Sequence, residues 1–357
     1  MKIKKILKAL GILLLAVVLV VGAYVAYAFI AYHRIEDNLV LEVNGNAEGV
    51  PEKGTEYTFL SYNVGFGAYT ADFGFFMDGG TESRARSAES VKSVLADIIS
   101  LIKEENADFM AIEEVDFDSD RSYHIDEREI LIDALGDGRS SVFAQNYDSP
   151  YLFYPILKPH GASKSGLITL SRFPITSAKR ISLPVESGFM KMLDLDRCYS
   201  SSRVDMGDCE LVIYTAHLSA YTSDGTIADD QLKILINDMQ SEYEKGNYVI
   251  CGGDFNKDLV GEGSTVFGVD NIDYSWAKPV PASLFENTAL SLVAPFSADN
   301  PIPSCRNADG PYNPEQYVIT PDGFIVSDNV NVVSAVTIDT GFAYSDHNPV
   351  KLTFTLD

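Results

Sequence analysis

Positive charge is scarce in this chain. Against 51 Asp and Glu, the 357 residues offer 27 Lys and Arg, for a formal net charge of −24. Lys2, Lys4, Lys5, Lys8 and Arg34 precede residue 36 with no acid among them, and setting those five positive charges aside leaves −29 for residues 36–357. Such a surface repels a long polyanion, so duplex nucleic acid is a disfavoured partner unless a local groove or a bound metal overcomes the field. Cysteine is scarce as well. Cys198, Cys209, Cys251 and Cys305 are too few for a disulfide scaffold and show no CxxC or Cys/His metal spacing. Cys251 sits in an apolar run and reads as a small buried hydrophobe, while a Cys198–Cys305 bridge stays open for an exported domain. Wholesale disorder is excluded by 46% hydrophobic residues, and the length suits one large domain or two small ones.

What is present begins with a membrane signal. Four lysines lead into Ala9–Tyr32, which carries no charge and is long enough to cross a hydrocarbon core of about 30 Å as a helix. Lysines on the leading side place that end in the cytoplasm and the remainder outside. Ala26-Tyr27-Ala28 resembles a cleavage site, so a removed secretory signal is the rival reading. The apolar run exceeds a usual signal core, and we read an uncleaved anchor; both readings export the domain. The organisation is then a basic tail over 1–8, an anchor over 9–32, a polar tether over 33–56 and a single domain over 57–357.

Within that domain, Tyr57–Tyr62 predicts a strand. Val91, Val94, Leu95, Ile98, Ile99 and Ile102 recur at helical spacing and predict an amphipathic helix over 89–105. Asp108–Val115 predicts a strand that ends in two acids, Glu129–Leu135 a short helix, and Ser141–Gln145 and Gly166–Leu170 two further strands. Leu211–Thr215 is a buried strand that delivers His217, and a helix over 229–245 stops at Gly246 before the strand Tyr248–Cys251. Phe324–Ser327 and Val350–Leu356 are late strands. No internal repeat is visible. The expected class is α/β, a two-layer β-sandwich with helices outside.

The strand ends carry the chemistry: Asn63, Glu114, His217, Asp254, Asn256, Asp322, Asp346 and His347 are expected to converge on one edge. Asp254 and Asn256 stand two apart in extended backbone and project to one side, so a carboxylate can take a proton from water while a carboxamide holds an oxygen beside it. Taken alone, Asn63 reads as a turn cap, His217 as a structural histidine and Asp254 as an Asx-turn. Glu113 and Glu114 beside a buried valine suggest that at least one points at a cation.

Taken together, the stretches SYNVG, IEEVD, GLITLSRFPI, YTAHLSAY, GGDFN, DGFIVS and SDHNPV resemble the endonuclease/exonuclease/phosphatase superfamily, in the expected order from about Phe59 to the C-terminus. The resemblance implies a DNase I-like α/β/β/α arrangement behind one transmembrane helix. It implies that Glu114 is a divalent-metal ligand, with Asn63 beside metal and phosphate and Asp346 in the closing metal-side pair. It further implies that Asp254 and Asn256 handle water and the scissile phosphate, that His217 stabilises phosphoryl charge, and that Asp322 orients His347. Mg²⁺, or Mn²⁺ in its place, is the implied cofactor. Nucleic-acid-cleaving relatives often carry an acid where this chain has Gly65.

Arg172, Lys191 and Arg197 are candidate phosphate-binding residues. The loops 275–285, with Trp276 and Phe285, and 294–303, with Phe296, are weighed as an interfacial rim against ordinary packing, which is the preferred reading. The expected function is that of a membrane-anchored, extracytoplasmic, Mg²⁺-dependent phosphodiesterase or phosphomonoesterase acting on a lipid head group or small phosphate ester. An exported nuclease is the alternative, and a catalytically inactive binding domain is the reading of another class, which the retention of every matched position opposes. No protein partner is inferred.

Overall fold

A computed structural model describes residues 2–185, 196–220, 226–269 and 277–357. The charge-free run lies inside α1 (Lys2–Ala31), where an 18-residue window has a mean hydropathy of 2.8 and none of it is buried. By length and composition α1 is a candidate membrane span. After it come β1 (Leu39–Val40), β2 (Val43–Gly45), β3 (Glu56–Asn63), α2 (Ala88–Glu105), β4 (Phe109–Asp116) and α3 (Glu127–Leu135). The middle of the chain holds β5 (Ser140–Leu152), β6 (Gly161–Ser171), β7 (Ile175–Ser182), β8 (Cys198–Asp205), β9 (Glu210–His217), α4 (Thr226–Glu244) and β10 (Tyr248–Asp254). The last third adds β11 (Leu290–Val293), β12 (Cys305–Arg306), β13 (Val318–Ile319), β14 (Asp322–Ser327), β15 (Val330–Thr337) and β16 (Val350–Leu356).

Among the described residues, these strands form two seven-stranded sheets, ordered β1-β7-β8-β9-β10-β14-β11 and β15-β16-β3-β4-β6-β5-β2, beside a small β12–β13 pair. The period of each strand decides the layering. In β3, Tyr57 and Phe59 face inward, where they meet Phe109, Ile250, Phe324 and Leu352 between the sheets. Leu60 and Tyr62 face outward onto Val91, Leu95, Ile98 and Ile102 of α2. On the far side, Leu232, Leu235, Ile236 and Met239 of α4 cover Val212, Tyr214, Val249 and Cys251. The result is the α/β/β/α order. α2 starts at a reciprocal Ser87–Ser90 capping box and stops at left-handed Asn106, which delivers the chain to β4.

One feature differs from expectation, and one that the sequence leaves open is decided. The segment 33–56 is tied to the domain rather than hanging as a tether: β1 pairs with β7, β2 pairs with β5, and Arg34 bonds Asp196 at 2.8 Å. Its polarity reflects edge-strand positions, where one side of the backbone stays solvated. The four cysteines are all free thiols. Cys198 lies against Ala144 and Leu167, whereas Cys305 lies in the β12–β13 region against Ala277, Tyr317 and Ile319.

Candidate active site

Inward-facing positions change character along every central strand. Phe59 gives way to Ser61 and then Asn63, Ile213 to Thr215 and then His217, Ile250 to Gly252 and then Asp254. Gly252 marks the switch: a Cβ there would lie 3.0 Å from Phe59 Cζ and 3.3 Å from Phe324, so the sheets close just beneath the site only because that side chain is missing. Register does the rest. Asp254 pairs directly with His217 on one side and with Asp322 on the other, so three chemically active side chains lie in one row across β9, β10 and β14.

The facing sheet adds Asn63 and the two acids of β4. A bulge between Ile112 and Val115 puts Glu114 at a φ of 57° and breaks the alternation. Glu113 turns between the sheets, fully buried, and takes a hydrogen bond from Ser61 Oγ at 3.1 Å. Burial, reinforced by Asp322 and Asp254, raises its pKa well above the carboxylate range. Glu114 turns instead into an open cleft with Arg197, His217, Asp254, Asn256, Asp346 and His347.

Asn63 is the hub. Its Nδ2 donates to Asp254 Oδ2 at 3.1 Å and Glu114 Oε1 at 3.3 Å, and its backbone carbonyl accepts from Ser345 Oγ at 2.7 Å. Asp254 is held from its other oxygen: Oδ1 accepts the Asn256 N–H at 2.9 Å, the Asx-turn that sequence alone suggests, while Asn256 Nδ2 donates to the Leu218 carbonyl at 2.9 Å. His217 Nε2 lies 3.4 Å from Asp254 Oδ2. His347 Nδ1 sits 2.8 Å from Asp322 Oδ2, and Ser304 Oγ donates to the same oxygen at 2.6 Å.

The two histidines are shifted in opposite directions. Burial, helped by the charge of Arg197, drives His217 well below the usual histidine value, which favours its neutral form. Burial works against the imidazolium of His347 too, but Asp322, with Cys305 beside it, outweighs that and holds its pKa well above the usual value. Asp322 itself is raised by burial to about 6. Burial also lifts Asp346 to about 7, and Glu114 and Asp78 add to the rise against the pull of adjacent His347.

These residues fit a divalent cation. Asp254, Asp322 and His347 bring candidate ligand atoms within 4.8 Å of one another, yet Asp322 and His347 are bonded to each other. The freer oxygens are those of Glu114 and Asp346, whose mutual repulsion is the condition that a hard cation relieves.

Arg197 lines the cleft, 7% exposed, with a buried Nε that meets no acceptor among the described residues. Arg172 does not belong here. It sits at the opposite end of the sheet, paired with Asp108 at 3.0 Å, because β6 runs antiparallel to β4 and ends where β4 begins. Lys191 and Trp276 lie outside the described residues. Phe285 packs on the α4 core and Phe296 against Phe267, which is ordinary loop packing. Sequence reasoning misses Arg306, whose buried guanidinium donates to the carbonyls of Thr70, Phe73 and Gly310. Those bonds pin the 64–87 loop, and with it Tyr69, against the cleft. The sequence offers no spacing by which to find it. Gly65, where nucleic-acid-cleaving relatives often carry an acid, has a φ of 51°, and a Cβ there would crowd Tyr69 at 2.8 Å and Asp346 at 3.2 Å.

The fold is that of a class of phosphoester hydrolases. The chain belongs to the endonuclease/exonuclease/phosphatase family, whose model matches residues 60–347, and whose members are metal-dependent hydrolases of phosphoester bonds. The endonuclease/exonuclease/phosphatase structure from Beutenbergia cavernae is 17% identical, with 84% of this chain and 72% of that one covered at a TM-score of 0.55. ANGEL2, described as a 2',3'-cyclic phosphatase and solved with adenosine-2',3'-vanadate, is also 17% identical, with coverage of 86% and 99% and a TM-score of 0.56. The human Nocturnin catalytic domain, with bound sulfate, is 17% identical, with coverage of 89% and 98% and a TM-score of 0.51. At these identities the likeness is one of fold. No curated protein matches the chain.

Proposed function

We propose that this protein is a membrane-anchored phosphoesterase whose catalytic domain lies outside the cytoplasm, and that it hydrolyses the phosphate ester of a lipid head group or a small molecule with Mg²⁺, or Mn²⁺ in its place. The observation that carries the reading is the row His217–Asp254–Asp322 with His347 bonded to its end. A divalent cation held by Glu114, with Asn63 and Asp346 beside it, would supply neutralisation of charge on the phosphoryl oxygens.

The side chains supply the remainder. Asp254 has Oδ1 pinned by the Asn256 N–H and Oδ2, steadied by Asn63 Nδ2, on the cleft wall, so it is the group to accept the proton of the attacking water. Asn256 lines the same wall and holds the phosphate oxygen nearby. His347, cationic because Asp322 stands behind it, donates to a phosphoryl oxygen as negative charge grows there, and neutral His217 donates from Nε2. Ser304 and Asp322 are positioning residues for that imidazolium. Arg197 offers its unbonded Nε and its positive charge to the substrate anion. The strongly negative domain favours a compact phosphate ester over duplex nucleic acid.

The test is hydrolysis by the full chain in detergent across bis-p-nitrophenyl phosphate, a choline phospholipid, an inositol phosphate and supercoiled DNA, with Mg²⁺ and with chelator. Turnover that needs the metal and falls by about 10³-fold in Asp254→Ala is the expected result. Unchanged turnover in that variant, with folding intact, would sink the assignment, and preference for DNA would replace it with a nuclease.

A further inference from the structure

The β5–β6 hairpin ends in an exposed apolar tip. Phe153 is 54% exposed, Tyr154 66%, Ile156 72% and Leu157 fully so, four large apolar side chains within five residues. Scattered exposed hydrophobes need no explanation, but a contiguous cluster at a loop tip does. The tip lies against α1: Tyr24 Oη donates to the Tyr151 carbonyl at 3.0 Å, Tyr27 Oη accepts the Tyr151 N–H at 3.3 Å, and the Tyr24 and Phe153 rings stand 5.7 Å apart.

Those contacts fix the depth of the hairpin if α1 crosses a bilayer. The charge-free run Ala9–Tyr32 spans about 36 Å as a helix, against about 30 Å of hydrocarbon. The run is longer than the core, and with Tyr24, Tyr27 and Tyr32 taken as the aromatic belt of the outer interface and Lys8 reaching back to the headgroups, the roughly 20 residues in hydrocarbon are Ile6–Val25 and Tyr24 falls near the outer boundary. Whatever hydrogen-bonds Tyr24 lies at that level too. Open backbone is not tolerated deep in hydrocarbon, but aromatic side chains are favoured at its boundary.

We propose that the hairpin tip is a second membrane contact, seated in the bilayer interface beside α1, which turns the catalytic edge toward the lipid surface. The proposal rests on the reading of α1 as a membrane span. Topology ties the tip to the site: Ser165 of β6 pairs with Asp116, just past Glu114, and Gly161 lies four residues further on, about 13 Å beyond. The tip therefore overhangs the edge where the site opens. Its base is braced against the 64–87 loop: Ser83 Oγ donates to the Lys158 carbonyl at 2.5 Å, and the Phe76 and Tyr154 rings meet at a tilt, 5.7 Å apart. The substrate class this favours is a phosphate ester carried by a lipid in the same membrane.

The experiment places a tryptophan at the tip. Full-length Leu157→Trp and, separately, Val17→Trp in the middle of α1 are reconstituted in nanodiscs of phosphatidylcholine with brominated acyl chains, and quenching is measured in excess of the parent chain, whose one Trp is Trp276. Leu157 is fully exposed, so the substitution disturbs no packing. The expected result is at least a twofold excess quenching for both variants, with a blue-shifted emission. Val17→Trp quenched while Leu157→Trp stays at the parent level overturns the hairpin contact and leaves the anchor standing. A blue-shifted but unquenched Leu157→Trp also overturns it and assigns the tip to a protein surface. An unquenched Val17→Trp overturns the anchor and the hairpin contact with it.

Discussion

The two ends of the β-sandwich use the same residue types, and they differ in what answers each charge. At one end Arg172 is bonded to Asp108 and to both the carbonyl and the side chain of Asn106, with its own side chain 42% exposed. At the other, Arg197 is 7% exposed and has no carboxylate partner among the described residues, while Asp254, Glu114 and Asp346 crowd the same cleft. Charges closed on each other at a surface contribute little either way. Charges held under burial without a partner are costly, and persist where an arriving ligand completes them.

The largest break in that comparison is removal of one carboxylate from each end. Asp322→Ala is expected to lower turnover about 10²–10³-fold, because His347 loses the anion that keeps it protonated and aimed. Asp108→Ala is expected to leave turnover within about twofold, since its oxygens serve Thr58 and Arg172 at the far end; comparable losses in the two variants would erase the distinction.

Next in size is a pH effect near the cleft end. His160 is buried and donates Nδ1–H to the Ser83 carbonyl at 2.7 Å, and burial, with Arg121 nearby, lowers its pKa from 6.5 to about 4. The unfolded chain takes up a proton below pH 6.5 that the folded chain refuses. Stability therefore falls as pH drops from about 6.5 to about 4, by about 3 kcal/mol from this group. Urea midpoints in detergent across that range should show the slope, and His160→Gln should flatten it; an equal slope in both would remove the assignment.

The smaller effects separate the two arginines. Arg197→Ala should lower kcat/KM by about 10–100-fold, the worth of a hydrogen bond to a charged group. Arg172→Ala should leave kcat/KM unchanged and cost at most about 1 kcal/mol of stability. Parallel kinetics and unfolding of the two variants decide it.

Much of the fold is legible in the amino-acid pattern. The strands β3, β4, β9, β10, β14 and β16 and the helices α2 and α4 carry apolar residues at their own period. The strands β7 and β8 escape that pattern, since β8 reads CYSSSRVD. Its serines are buried all the same, and Ser200 reaches the Thr169 hydroxyl at 3.2 Å, so hydrogen bonding between sheets does there what apolar side chains do elsewhere. In the site, the motif residues at the strand ends are legible by identity, but Arg172 looks equal to Arg197 because both are arginines near strand ends; strand direction separates them.

By itself, then, the sequence determined the α/β class, the order of the site motifs and the apolar helix, because each depends on local period or on residue identity at a strand end. Tertiary structure alone decided that Glu113 is a buried acid while Glu114 faces the cleft, that burial pushes the pKa of one histidine down while a carboxylate holds the other's up, and that the β5–β6 tip meets α1. Each of these depends on what lies across a sheet or between layers, and residues hundreds of positions apart, such as Asn63 and His347, become neighbours only when register and packing bring them together.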